Sequence, residues 1–156
     1  MSAEIGQSAP DFCLAGSDNT EAGRHDYALA DYRGHVVVLV FYPGDSTPVC
    51  TRQLNSYSED IDSFRDVGAQ VLAISPQSVA SHDEFACKQG GFGFPLLADT
   101  DKAVGEAYGI LGPLGFYRRS VFVVDAAGIV RYAHKAVAGL TFRSTDELVT
   151  AVLAAS

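Results

Sequence analysis

Three short stretches constrain the fold before anything else does: VVVLVFY at 36 to 42, AQVLAIS at 69 to 75 and SVFVVD at 120 to 125. Each is apolar at nearly every position instead of every second one, and rich in β-branched residues. That is the pattern of a strand covered on both faces. Such a sheet needs helices to cover it, and the intervening segments supply them. Helical spacing runs from 50 to 64, 78 to 88, 101 to 108 and 144 to 153. Several of these segments open on Ser, Thr or Asp, which can accept from the free amides of a first turn. IVRYAHKAV, at 129 to 137, follows the third strand across Asp-Ala-Ala-Gly, a composition that predicts a hairpin. Alternating strands and helices with a terminal hairpin give an α/β chain: a central mixed β-sheet flanked by helices, parallel over part of its width. At 156 residues, with no repeat or linker, the expectation is a single domain over 1–156.

Charge and composition exclude several classes of function. Nineteen acidic against eleven basic residues give a formal charge of -8, which repels phosphate backbones and anionic lipid surfaces. No apolar run approaches the roughly 20 residues needed to cross a bilayer. The opening MSAEIGQSAPDF carries neither a basic region nor an apolar one, so a cytoplasmic protein is expected. In that reducing compartment the three cysteines, at 13, 50 and 87, are not expected to form structural disulfides. The four histidines, at 25, 35, 82 and 134, show no ligand spacing with them, so a zinc site is not expected. His82 reads as a surface residue at a helix start.

Chemistry concentrates where the first strand ends, in PGDSTPVC at 43 to 50. Pro43 stops the strand, because its ring carries no amide proton and forces Tyr42 into an extended conformation. Pro48 suits the first position of a helix, which makes Thr47 its cap, with the hydroxyl aimed at the Cys50 amide. Cys50 then lies in the first turn, at the edge of an α/β sheet where ligands bind. A thiol ordinarily titrates near about 8.5, so an attacking thiolate needs positive charge beside it. A helix start contributes only about 0.3 to 1 kcal/mol, short of the roughly 1.4 kcal/mol that a tenfold change requires. A partly buried cation must supply the rest. Arg118 and Arg119 open the strand at 120, and alternation turns one of them inward. The competing reading of Cys50 is an inert core cysteine, which its place at a helix start disfavours.

These residues resemble the peroxiredoxins. Pro43, Thr47 and Cys50 match that family's Pro-x-x-x-Thr-x-x-Cys signature. The order of APDFCLAGSDN, LADYRGHVVVLVFYPGDSTPVCT, SHDEFACKQGGFGFPLLAD and RRSVFVVDAAGIVR looks like the bacterioferritin comigratory protein, or peroxiredoxin Q, branch. The resemblance covers most of the chain. It implies a thioredoxin-like fold and a thiol-dependent peroxidase in which Cys50 attacks peroxide and becomes a sulfenic acid. It further implies that Thr47 and Arg119 bind the two oxygens, that Pro43 shields the site, that Arg118 stays in solvent and that no metal or organic cofactor is required, while Arg52 reads as an ordinary solvent-facing helix residue. Many relatives carry the resolving cysteine five residues after the first, where this chain has Asn55. Others carry it in the next helix, and Cys87 lies in the corresponding segment. By that resemblance Cys50 and Cys87 pair once both segments locally unfold, with the glycines after Cys87 as a hinge.

Thioredoxin or a glutaredoxin-like donor would then reduce the disulfide. Cys13, in an early apolar strand, reads as inert. Phe41, Val49, Leu111 and Phe116 are candidates to line a pocket for organic peroxides. A monomer is expected, with a homodimer as the other possibility. Two other functional readings stay open: a one-cysteine peroxidase resolved by an external thiol, and a thioredoxin-like binding domain without turnover. The absence of Cys-x-x-Cys disfavours a dithiol isomerase.

Overall fold

A computed structural model describes residues 3–17, 24–45, 47–136 and 142–156. Among these residues seven strands form one mixed sheet: β1 (Cys13–Ser17), β2 (Arg24–Ala28), β3 (Val36–Phe41), β4 (Ala69–Ser75), β5 (Leu96–Ala98), β6 (Ser120–Val124) and β7 (Val130–Lys135), in the spatial order β2-β1-β5-β4-β3-β6-β7. The strands β5, β4 and β3 run parallel, and every other pairing is antiparallel. Among the described residues five α-helices surround the sheet: α1 (Pro48–Glu59), α2 (Ile61–Asp66), α3 (Val79–Lys88), α4 (Ala103–Ala107) and α5 (Thr145–Ala155). The mixed α/β architecture read from the sequence is the one observed.

The three apolar runs form the middle of the sheet because both their faces are needed. Val36, Val38 and Val40 point to one side, where Cys50, Leu54 and Tyr57 of α1, Phe64 of α2, Phe85 of α3 and Leu148 of α5 pack against them. Val37, Leu39 and Phe41 point to the other, against Tyr108, Ile110, Tyr117 and Phe12. All six residues of β3 are buried. The Asp-Ala-Ala-Gly turn is present, with the Gly128 amide donating to the Asp125 carbonyl at 2.9 Å and the Asp125 carboxylate capping the amides of Ala127 and Ile129. Gly128 holds φ at +86°, which a side chain would disfavour. Of the strand expected over 129–137, Val137 lies outside the described residues.

Two readings of the elements change. The helix expected over 50–64 is two, broken at Asp60, whose backbone (φ -97°, ψ 16°) leaves the helical region between α1 and α2. Two strands also escaped the sequence. β2, RHDYA, is an edge strand with polar residues and pairs only with β1. β5 has three residues, too few for any period to show.

Candidate active site

The site forms where the β3 chain turns into α1. Thr47 is the residue before the helix, extended at φ -79° and ψ 149°, and Pro48 occupies its first turn. The first intrahelical bond is donated by Thr51 to the Thr47 carbonyl at 2.9 Å, so the amides of Val49 and Cys50 precede the helical ladder. The expected capping bond is not formed. The Thr47 hydroxyl donates backwards to the Gly44 carbonyl at 3.2 Å, closing the turn and not the helix end. Pro43 is half-buried and Thr47 exposed.

Alternation decides which arginine reaches the sulfur. Val121 and Val123 of β6 lie on the same face as Cys50, so Arg119, two residues before Val121, points there too, and Arg118 is exposed. The antiparallel pairing of Phe41 with Ser120, continued by one residue, sets Arg119 across from Tyr42. Arg119 donates from Nη2 to Cys50 Sγ at 3.2 Å and from Nη1 to Gln53 Oε1 at 2.6 Å. Arg119 is only 4% exposed and Cys50 is fully buried. A guanidinium N–H on sulfur stabilises negative charge there, and the surrounding core excludes the water that would screen it.

Gln53 is the residue that the sequence reading passed over. Cys50, Gln53, Leu54 and Tyr57 are the buried residues of α1, at the spacing of one helical face. That spacing was visible in the sequence, although a glutamine on a buried face carries no label of its own. Its Oε1 accepts from Arg119, while its Nε2 faces Tyr57 Oη at 3.4 Å, and Tyr57 donates to the Arg143 carbonyl at 2.6 Å. Burial pushes the Tyr57 hydroxyl up to about 12, so it remains a donor wherever the protein works. The chain of bonds fixes the guanidinium plane against the sulfur. Gln53→Leu is therefore expected to slow Cys50 oxidation by about tenfold to 100-fold, because a misaimed donor costs rate without removing the cation. Stopped-flow peroxide consumption at limiting enzyme would measure it, and an unchanged rate would show that Arg119 needs no such support.

The other named residues are distributed as follows. Cys87 lies on α3 with its side chain exposed, whereas Phe85 and Ala86 beside it are buried. Cys13, Cys50 and Cys87 are all free thiols. Cys50 faces the core and Cys87 faces solvent, so the structure does not bring the two together. Cys13, read from the sequence as inert, is exposed in β1. Phe41 belongs to the opposite face of the sheet from Cys50 and lines nothing beside it, and Phe116 is 65% exposed.

His82 is the largest correction. It is wholly buried, with Nδ1 at 2.8 Å from an Asp45 carboxylate oxygen and Nε2 at 2.9 Å from the Leu97 carbonyl. A helix start reads as surface only until a partner comes from elsewhere in the chain, and Asp45 is thirty-seven positions away. Among the described residues no group of histidine, cysteine, aspartate or glutamate is placed to hold a metal ion.

Known proteins resemble this chain in sequence and in fold. The AhpC/TSA family model matches residues 5–133. Peroxiredoxin-2 of Mus musculus is 38% identical over 136 residues, covering 83% of this chain and 68% of its own. A putative peroxiredoxin in the rubredoxin operon of Clostridium pasteurianum is 36% identical over 152 residues, covering 92% of this chain and 84% of its own. Mycobacterium tuberculosis AhpC superposes with a TM-score of 0.87 at 26% identity, covering 99% of this chain and 93% of that one. With a thioredoxin-like sheet, a cysteine in the first turn after β3 and a family model spanning most of its length, the chain belongs to the AhpC/TSA family of peroxiredoxins.

Proposed function

We propose that Cys50 is the attacking thiol of a peroxidase acting on hydrogen peroxide and organic hydroperoxides. The observation that carries this reading is the buried contact between Arg119 Nη2 and Cys50 Sγ at 3.2 Å, at the start of a helix. The protein is a thiol-dependent peroxidase, an oxidoreductase of the peroxiredoxin family.

In the first step the Cys50 thiolate attacks one peroxide oxygen. The S–O bond forms as the O–O bond breaks, and the departing alkoxide or hydroxide takes a proton to leave as alcohol or water. Sulfur is oxidised to the sulfenic acid and the peroxide is reduced. Arg119 and the amides of Val49 and Cys50 are the donors for the developing charge, with the Thr47 hydroxyl at the exposed mouth and Pro43 limiting water. The Cys87 thiol then attacks the sulfenic sulfur, forming the Cys50–Cys87 disulfide and releasing water. A thioredoxin-type dithiol returns both cysteines to thiols with two electrons. Placement in the peroxiredoxin Q branch rests on the order of the sequence motifs and on a cysteine in α3. The working unit is read as a monomer.

The experiment that tests resolution is mass analysis without reductant after one equivalent of peroxide. Wild type is expected to lose two hydrogen atoms, and Cys87→Ser to gain an oxygen at Cys50 instead. A wild-type sulfenic acid that persists would favour resolution by an external thiol.

A further inference from the structure

The turn that leads into α1 is held chiefly by α3. The Asp45 carboxylate, whose side chain is 3% exposed, meets three side chains: Tyr42 Oη donates to Oδ1 at 2.7 Å, Ser81 Oγ donates to Oδ2 at 2.7 Å, and His82 Nδ1 lies 2.8 Å from Oδ2. The Asp45 amide donates to Gln77 Oε1. Gln77, Ser81 and His82 all belong to the start of α3 or the turn before it, while Tyr42 and Asp45 lie in the turn that follows β3.

The ring of His82 has no freedom in this arrangement. Nε2 faces a carbonyl, which only accepts, so Nε2 must carry a proton. Nδ1 faces a carboxylate that already receives the Tyr42 and Ser81 hydroxyls, so one more proton must lie between Nδ1 and Oδ2. An opened α3 would leave a buried carboxylate and imidazole to find water at the same moment, and such a cost falls on opening. Cys87 lies five positions beyond His82 on the same helix, whose end is closed by the Gly91 amide donating to the Ala86 carbonyl at 2.7 Å and by Asn55 Nδ2 of α1 donating to Gln89 Oε1 at 2.9 Å. The buried contacts that hold α3 to the turn are at its start, five positions before Cys87.

We propose that the Asp45–His82 pair is a latch between the peroxide-binding turn and α3, whose strength sets how readily α3 opens to deliver Cys87. Its functional consequence rests on the Cys50–Cys87 reading above, but the latch itself does not. Both residues are positioning residues, acting through the backbone they hold together.

Hydrogen exchange on the reduced protein tests the latch without any cysteine chemistry. Asp45→Ala and His82→Gln are expected to raise exchange of amides 79–90 by at least about tenfold, with amides of β3 and β6 unchanged. Asp45→Asn should remain within about threefold of wild type, because its amide nitrogen can donate to Nδ1 while its oxygen accepts from Tyr42. After one equivalent of peroxide, the two latch-breaking variants should form the disulfide faster and, at excess peroxide, accumulate less Cys50 sulfinic acid. Unchanged exchange in 79–90, an increase spread evenly over the strands, or an Asn variant as loose as the Ala one would each overturn the proposal. If wild type forms no disulfide while the exchange contrast persists, the latch stands and the resolving role of Cys87 fails.

Discussion

Cys50→Ser is expected to stop peroxide consumption, lowering the second-order rate of the reduced protein by at least about 10⁴-fold. The hydroxyl that replaces the thiol is nearly isosteric but gives up an anion only at far higher pH. No arrangement of donors compensates for that loss. The fold should survive, since Arg119 Nη2, now 3.2 Å from sulfur, can donate to the new oxygen, and the cost is on the order of 1 kcal/mol. Stopped-flow consumption of hydrogen peroxide, with thermal unfolding as a control, reads both effects. Residual activity within tenfold of wild type would move the chemistry to Cys13 or Cys87, both of which are exposed.

Arg119→Met is expected to lower kcat/KM for peroxide by about 10²- to 10³-fold, the range found when one preorganised donor to developing charge is removed. Methionine keeps most of the volume in a site that is 4% exposed, so the loss reports charge and hydrogen bonding more than packing. Arg119→Lys should fall between the two. A lysine ammonium is a point charge, and it cannot reach Cys50 Sγ and Gln53 Oε1 in the planar fork that Nη2 and Nη1 provide. The Met variant also strands the Gln53 oxygen in a buried site, at about 1 to 3 kcal/mol of stability. Wild-type kinetics in Arg119→Met would remove the guanidinium from the reaction and leave the helix start as the only source of positive charge.

Much of the site was legible because it depends on local rules. Pro43 and Pro48 bracket a turn by what their rings forbid, and that brackets Cys50 into the first turn of α1. Alternation along a strand whose apolar positions were already visible turns one of Arg118 and Arg119 inward, and the resemblance to peroxiredoxins named Arg119 as that one. Gln53 was half legible, on the right face of α1 but with nothing to mark it as the guanidinium's partner. The Thr47 hydroxyl was misread. The capping rule names a residue type, and the carbonyl of Gly44 simply lies closer to hand.

What the sequence determined by itself is the central strand, the break after it and the cysteine beyond the break, since each follows from which backbone conformations and faces a few consecutive residues permit. Tertiary structure alone decided that His82 is buried, that Asp45 meets it, and that Cys50 looks inward while Cys87 looks out. The physical reason is that a polar side chain can be buried only where a partner satisfies it, and these partners come from strands and helices far apart along the chain.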